Sequence, residues 1–381
     1  MVYKIGDNII SGLGNDVNQI FGRIERGDLA GENHMGKFGL NESFFGFLLD
    51  WNTIEDDFAK LPHSSEIRYT KFEKIALLSA YSAIKTCNID PSREDVVFVL
   101  SSTKGNVDLL ENPDGFDFER ATISASATLI GNYFGNPNRV MVVSNACTSG
   151  VVAQIYAKKM MEYKGYKHAI VIGADILNKF VVSGFQSFKA LSTDRCKPFD
   201  QNRCGLNLGE GAATIVLEQS DIVPHGAMQI VGTGNRNDAN HISGPSRTGE
   251  GLFNAISDAI SSRPSIREDI SFINAHGTAT PYNDDMESWA IDRSGMRHIP
   301  VNSLKGCFGH TLGAAGILEC IISCMALEKN IILPTYGHDT KGVAKEITVN
   351  KQLCTGRGDA FLKIISGFGG SNAAIIYRRQ Q

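Results

Sequence analysis

Apolar and polar residues alternate along this chain in blocks of two lengths, short and long, and the blocks interleave. Short apolar runs at Val96 to Leu100, Val140 to Val143, Ala169 to Ile172 and Ala212 to Leu217 have the length and β-branched content of buried strands. Between them, Phe72 to Thr86, Ala121 to Phe134 and Ser149 to Tyr163 read as helices. A second series follows with strands Met228 to Gly232, Ile270 to Asn274, Phe361 to Ile365 and Ala373 to Tyr377. Its helices are Leu252 to Ser262, Asp284 to Ser294 and Gly313 to Glu328. Strands alternating with helices predict an α/β fold with mostly buried sheets. The two series share this grammar without a residue-level repeat, and no low-complexity linker divides them, so they are expected to pack as one unit.

At 381 residues the chain is long enough for two domains or one large α/β unit. Hydrophobic residues make up 42% and charged residues 20%, which excludes a disordered or fibrous chain. With 37 basic against 41 acidic side chains the formal net charge is −4, so nothing in the balance calls for nucleic acid; a local basic patch could still meet an acidic protein. The start, Met1-Val2-Tyr3-Lys4, lacks the basic and apolar regions of a signal peptide. The most apolar helix, near Gly316 to Leu327, contains Glu319 and is too short to span a bilayer. Eight cysteines are scattered without a CxxC pair, which gives neither a disulfide framework nor a zinc site and makes a reducing cytoplasm the expected compartment.

Three segments carry chemistry. Cys147 lies in Val142-Val143-Ser144-Asn145-Ala146-Cys147-Thr148-Ser149-Gly150, where a strand runs through small residues into a helix. A cysteine after an apolar strand is ordinarily core. At a helix start, however, the dipole and free N–H groups lower a thiol pKa and offer donors for an oxyanion. His276 lies in Asn274-Ala275-His276-Gly277-Thr278-Ala279-Thr280-Pro281, and His310 in Lys305-Gly306-Cys307-Phe308-Gly309-His310-Thr311-Leu312-Gly313. A lone loop histidine is usually a structural hydrogen-bonder, but these two flank glycines that bring backbone close to a ligand. Their 34-residue separation rules out metal spacing on one helix. One nucleophile and two imidazoles on Gly-rich turns point to carbon–carbon bond formation on a thioester.

These segments resemble the active-site motifs of the β-ketoacyl-[acyl-carrier-protein] synthases, the elongating condensing enzymes of the thiolase superfamily. Lys197-Pro198-Phe199-Asp200, Gly209-Glu210-Gly211 and Gly367-Phe368-Gly369-Gly370-Ser371-Asn372 resemble further elements of that family, in the same order from about residue 60 to the end. The resemblance implies a thiolase-like five-layer αβαβα fold of two pseudo-symmetric halves, 1–225 with the nucleophile and 226–381 with the histidines. It implies decarboxylative condensation of malonyl-[acyl-carrier-protein] with an acyl chain on Cys147, with His276 and His310 stabilising the enolate. It also implies supporting roles for Lys305 and Glu319 beside His310, and for Thr278 and Thr280 in holding pantetheine. Cys147 and Phe368 would form the oxyanion hole, with the Phe368 ring as gate.

No cofactor and no metal is implied. The implied partners are acyl- and malonyl-loaded carrier proteins, met by Arg68, Lys71, Lys74 and Arg203, and a second subunit in a homodimer or in a heterodimer with a pathway partner. Several departures stand out: Ser366 where the family has an aromatic residue, Leu206-Asn207-Leu208 in place of an aromatic-containing stretch, Thr148-Ser149-Gly150 after the cysteine, and an N-terminal strand that looks shortened. They suggest an unusual acyl pocket and a specialised polyene or polyketide-like pathway. A thiolase would need a second catalytic cysteine near the C-terminus, and an initiating synthase would carry Asn in place of His310. A chain-length partner subunit, the alternative from a different class, typically loses the nucleophile.

Overall fold

The computed structural model describes residues 1–63, 66–238, 240–241 and 244–381. The first half is built on strands β1 (Val2–Ser11), β2 (Val96–Ser101), β3 (Met141–Val143), β4 (His168–Asp175) and β5 (Gly211–Gln219). The second half uses β6 (Met228–Asn237), β7 (Ile270–Asn274), β8 (Pro300–Asn302), β9 (Ala360–Gly367) and β10 (Ser371–Arg379). The strand order is β1-β5-β4-β2-β3 in one half and β6-β10-β9-β7-β8 in the other. Each half has two antiparallel steps followed by two parallel ones. The pseudo-symmetry that no residue repeat betrays is therefore written in strand order and direction. The halves join where Tyr3 pairs with Gln229 and Lys4 with Met228.

Two helices form the middle layer: α3 (Ser149–Lys164) and α6 (Ala315–Glu328). A single buried core gathers Val97, Val99, Val171 and Ile215 from one sheet, Phe272, Phe361, Ile375 and Tyr377 from the other, and the apolar residues of both helices between them. On the outer faces lie α1 (Lys71–Cys87) and α2 (Ile123–Tyr133) over the first sheet, and α4 (Glu250–Ser261) and α5 (Pro281–Arg293) over the second. That stack is a five-layer αβαβα arrangement. Because α6 is enclosed on both sides, it is apolar apart from Glu319 and Ser323 and buried through thirteen consecutive residues, Ala315 to Leu327. No helix among the described residues is long and apolar enough to cross a membrane.

The starts of α3 and α6 touch. A Cβ on Gly150 would lie 2.9 Å from the Gly313 carbonyl oxygen, and one on Gly316 would lie 2.6 Å from the Val151 nitrogen. Both glycines are there for close approach, which brings the Cys147 and His310 segments together.

The expected strands and helices are present with ends moved by a few residues. The N-terminal strand is the correction: it is ten residues long and pairs with β5 from Val2 to Ser11. Its polar Lys4, Asp7 and Asn8 hide its strand character, and Lys4 pairs with Asp7 within a strand flanked by β5 and β6 instead of facing water.

Candidate active site

Cys147 sits on a sharp elbow between β3 and α3. Ala146 adopts a left-handed backbone (φ +47°), a conformation that costs a non-glycine residue energy and aims the next side chain away from the strand. Thr148 and Ser149 close the elbow. The Ser149 hydroxyl donates to the Ala146 carbonyl (2.6 Å), the Asn145 N–H donates to Ser149 Oγ (2.7 Å), and the Thr148 hydroxyl donates to the Asn145 carbonyl (2.7 Å). A Cβ on Gly367 would lie 3.0 Å from the Cys147 nitrogen, so the Gly367-Phe368 turn can press against the nucleophile only as glycine.

The thiol does not behave as its helix-start position suggests. Burial pushes Cys147 up to about 11 and outweighs the lowering by Lys305, Lys104 and the backbone N–H groups of Phe368 and Cys147 itself. The resting nucleophile is a neutral thiol. Those two N–H groups nevertheless face the sulfur.

His276 follows the end of β7. The carboxylate of Glu287, on α5, accepts from the N–H groups of His276 and Gly277, both at 2.7 Å. His310 is held by its own N–H, which donates to the Asn207 carbonyl (2.7 Å), and by the Leu312 N–H, which donates to Nδ1 of its ring (3.2 Å). The ring proton therefore resides on Nε2, which is buried without a hydrogen-bond partner among the described residues. The two imidazoles meet edge to face, with centroids 4.9 Å apart at 81°. One ligand-capable atom from each of Cys147, His276 and His310 falls within 4.8 Å of the others. Burial first, then the ammonium of Lys305, holds both histidines well below the usual imidazole range, with Lys363 adding to it. Both rings are neutral donors at neutral pH. That spacing alone would also admit a metal ion; the ammoniums behind the rings oppose one.

Lys305 and Glu319, far apart in the Gly-rich loop and α6, form a fully buried ion pair. Glu319 carries a second buried ion pair, to Lys363 on β9, whose ammonium also donates to the Ala275 carbonyl at 3.2 Å. Lys305 acts on His310 through its field and through the backbone; the ring's own hydrogen bond comes from Leu312.

Two cavities meet at Cys147. One, about 390 Å³, is lined by His276, His310, Thr278, Thr280, Leu206, Ser366 and Phe368. The hydroxyls of Thr278 and Thr280 are hydrogen-bonded to each other at 2.9 Å. The other, about 560 Å³, is walled by Phe180, Phe185, Phe188 and Leu312. Phe368 belongs to both and packs on Phe185 and Phe188 (centroids 6.0 and 5.6 Å), a position from which its ring can separate the two spaces.

Arg68, Lys71 and Lys74 line a separate cleft of about 1050 Å³. Arg68 pairs with Asp114 (2.8 Å), Lys74 with Glu55 (2.5 Å), and Lys71 lies 4.7 Å over the Trp51 ring. Arg203 is not brought together with them. Its side chain is largely buried and tied to Asp285 (2.8 Å) and to the Pro281 carbonyl, near the mouth of the Cys147 cavity.

Comparison with known proteins gives this geometry its family. Residues 25–221 match the profile described as "Beta-ketoacyl synthase, N-terminal domain", and residues 227–339 match "Beta-ketoacyl synthase, C-terminal domain". The chain belongs to the β-ketoacyl synthase family. Among its relatives, the "Tetracenomycin polyketide synthase ketoacyl synthase alpha subunit" of Streptomyces glaucescens is 33% identical, over 64% of this chain and 61% of that protein. The "3-oxoacyl-[acyl-carrier-protein] synthase 2" of Rhizobium meliloti is 32% identical over 68% and 64%, and that of Vibrio harveyi 26% identical over 99% and 98%. The chain thus spans under two thirds of the length of the first two relatives and nearly all of the third.

A ketosynthase solved in complex with its chain length factor from Xenorhabdus doucetiae superposes with a TM-score of 0.88, at 22% identity and over 99% of this chain and 98% of that one. A β-ketoacyl synthase from Burkholderia phymatum gives 0.86, at 24% identity over 100% and 99%. At such identities these structures establish the thiolase-like ketosynthase fold.

Lys363, Glu287 and Asn207 also belong to the site, although the sequence pattern did not single them out. Lysine in the apolar run Phe361-Leu362-Lys363-Ile364-Ile365 was the available signal for the first, since an unpaired ammonium does not belong in a buried strand. Asn207, noted only as a departure, holds the His310 loop by its carbonyl and the Cys196 N–H by its side chain (2.7 Å).

Proposed function

We propose that this β-ketoacyl synthase condenses malonyl-[acyl-carrier-protein] with an acyl chain on Cys147, giving a 3-oxoacyl-[acyl-carrier-protein] two carbons longer. The observation that carries the reading is the convergence of the Cys147 sulfur with two neutral imidazoles, one of which aims a proton with no acceptor into the shared space. In the first half-reaction the Cys147 sulfur attacks the acyl thioester and its proton ends on the departing pantetheine sulfur. In the second, malonyl thioester loses carbon dioxide, and N–H donors of His276 and His310 hold the enolate oxygen. The enolate carbon attacks the acyl-cysteine carbonyl, the cysteine sulfur leaves as thiolate, and it takes up a proton from solvent. Pantetheine reaches Cys147 past Thr278 and Thr280, and Phe368 gates the acyl cavity.

Ser366 and Leu206 line the catalytic cavity where the family has bulkier or aromatic groups, which supports a specialised polyene or polyketide-like pathway. Incubating the protein with a panel of acyl-carrier proteins and weighing the adducts on Cys147 tests the reading; absence of any adduct refutes it.

Because the Arg203 side chain is largely buried and tied to Asp285, the carrier protein is proposed to dock on Arg68, Lys71 and Lys74, in the cytoplasm. Charge reversal at these positions should weaken binding in a salt-sensitive way. The chain is proposed to divide near residue 225 into its two halves and to act as a dimer with itself or a pathway partner. β3 ends the first sheet with an unpaired edge and an exposed Val142, the kind of edge that a second chain completes. Light scattering at micromolar concentration distinguishes dimer from monomer, and Val142→Asp should shift the balance to monomer.

A further inference from the structure

Lys363 is completely buried in the middle of β9. An ammonium removed from water is costly unless charged and polar partners replace its hydration. Lys363 has two such partners, the Glu319 carboxylate and the Ala275 carbonyl. The other oxygen of Glu319 accepts from Lys305. Lys305 stands five residues before His310, and Ala275 immediately precedes His276. One continuous chain of charged hydrogen bonds therefore links the two histidine loops, from Lys305 through Glu319 and Lys363 to Ala275.

Burial lowers Lys363 from the ordinary lysine range and the Glu319 carboxylate opposes that lowering; with both lysines charged, the chain holds two ammoniums against one carboxylate and is not neutral. The ammoniums of Lys305 and Lys363 are the side-chain cations that act on both imidazoles. Cys147 faces them as a neutral thiol, and Cys320, beside Lys363 on α6, is likewise pushed up to about 12. Glu287 on α5 is pushed up to about 7, and its oxygens are occupied by the His276 and Gly277 N–H groups and Asn283. Asp284, also on α5, binds the Phe199 N–H, and Asp175 on β4 is enclosed by Ser102, Thr103, Lys104 and Gly313.

We propose that Lys363 is a positioning residue for decarboxylation: it braces the two histidine loops against each other and supplies the surplus positive charge behind the imidazoles. The inference rests on the condensing reading above. A surplus cation there does two things. It disfavours protonation of His276 and His310, so both remain neutral N–H donors. It also favours the anion left when carbon dioxide departs from malonyl thioester, because that negative charge develops on the side the cation faces. Acyl transfer to Cys147 depends on it less, because the groups that favour the Cys147 anion are Lys305, Lys104 and the N–H groups of Phe368 and Cys147, not Lys363.

The test uses the full chain and malonyl-pantetheine, with carbon dioxide release followed from pH 4.5 to 8.5 and Cys147 acylation by an acyl-pantetheine followed separately. Lys363→Met removes the charge and leaves Glu319 paired to Lys305. Lys363→Gln keeps a donor for Glu319 and Ala275 while removing the charge. Both should lower carbon dioxide release at least about tenfold at pH 7 and move its acid limb to higher pH, because loss of a nearby cation raises an imidazole pKa. Acylation of Cys147 should change by less than about threefold. An acid limb unchanged in both variants, or equal losses in the two half-reactions, overturns the assignment, as does failure of both proteins to fold. A wild-type protein that neither acylates nor releases carbon dioxide instead refutes the condensing reading itself.

Discussion

The Leu312 N–H donates to Nδ1 of His310 across 3.2 Å, and that bond fixes the ring's tautomer. Leu312 can reach back because its backbone is left-handed (φ +49°), bending the chain just after the histidine. The consequence is an Nε2–H with no partner among the described residues, waiting for an oxygen with developing negative charge. His310→Ala should therefore cut decarboxylation of malonyl thioester by about 10²–10³-fold, the usual cost of one oxyanion donor, while Cys147 still acylates. Cys147→Gln should do the converse, releasing carbon dioxide without condensation. Separate assays of carbon dioxide release and of cysteine acylation check both; loss of acylation with normal release in His310→Ala contradicts the division of roles.

A neutral resting thiol makes its own prediction. With Cys147 pushed up to about 11 by burial, its alkylation by iodoacetamide should keep accelerating through pH 9 and 10. Mass spectrometry of the Cys147 peptide over a pH series reads the rate. A plateau reached near pH 7 would mean that the helix start and Lys305 win over burial after all.

Glu319 lies between two buried ammoniums, Lys305 and Lys363. Glu319→Leu would strand both charges in the core, and breaking a buried pair from one side costs about 3–5 kcal/mol. Chemical denaturation should show a loss of that order. Lys305→Met, which leaves Glu319 balanced by Lys363, should cost less.

The neutral histidines also bear on stability. An unfolded chain binds a proton on each imidazole below about pH 6.5, whereas the folded protein holds His276 and His310 well below that value. The unfolded state then carries more protons, so their contribution to stability is present above pH 6.5 and is lost as pH falls. Between pH 7 and 5 the His276→Ala/His310→Ala protein should lose less thermal stability than the wild type. Equal losses would show that the histidines are not the groups responsible.

Much of this was legible in the chain itself. Cys147, His276 and His310 stand out because each occupies a turn whose small neighbours have little other use. The strands and helices stand out because buried sheets demand continuous apolar runs, as Val96 to Leu100 shows. β1 was underestimated because its polar residues are satisfied locally, Lys4 by Asp7 three positions on. Lys363 and Glu287 escaped for a different reason. Their meaning lies in partners 44 and 88 residues away for Lys363, and in backbone N–H groups on another element for Glu287, and periodicity carries no trace of either. The thiol's raised pKa escaped similarly, since the depth of burial at Cys147 depends on the packing of α3 against α6 and on the Gly367 turn.

The most direct measurement of the central claim follows one acyl group through both half-reactions. The protein is loaded with an acyl chain, the Cys147 adduct is confirmed by intact mass, and malonyl-[acyl-carrier-protein] is added. The account predicts that the adduct disappears as one carbon dioxide is released for each 3-oxoacyl-[acyl-carrier-protein] formed, the acyl mass moving from Cys147 to the carrier. Discharge of the adduct to water or to a free thiol without carbon dioxide, or condensation that proceeds with Cys147 unmodified, would contradict it.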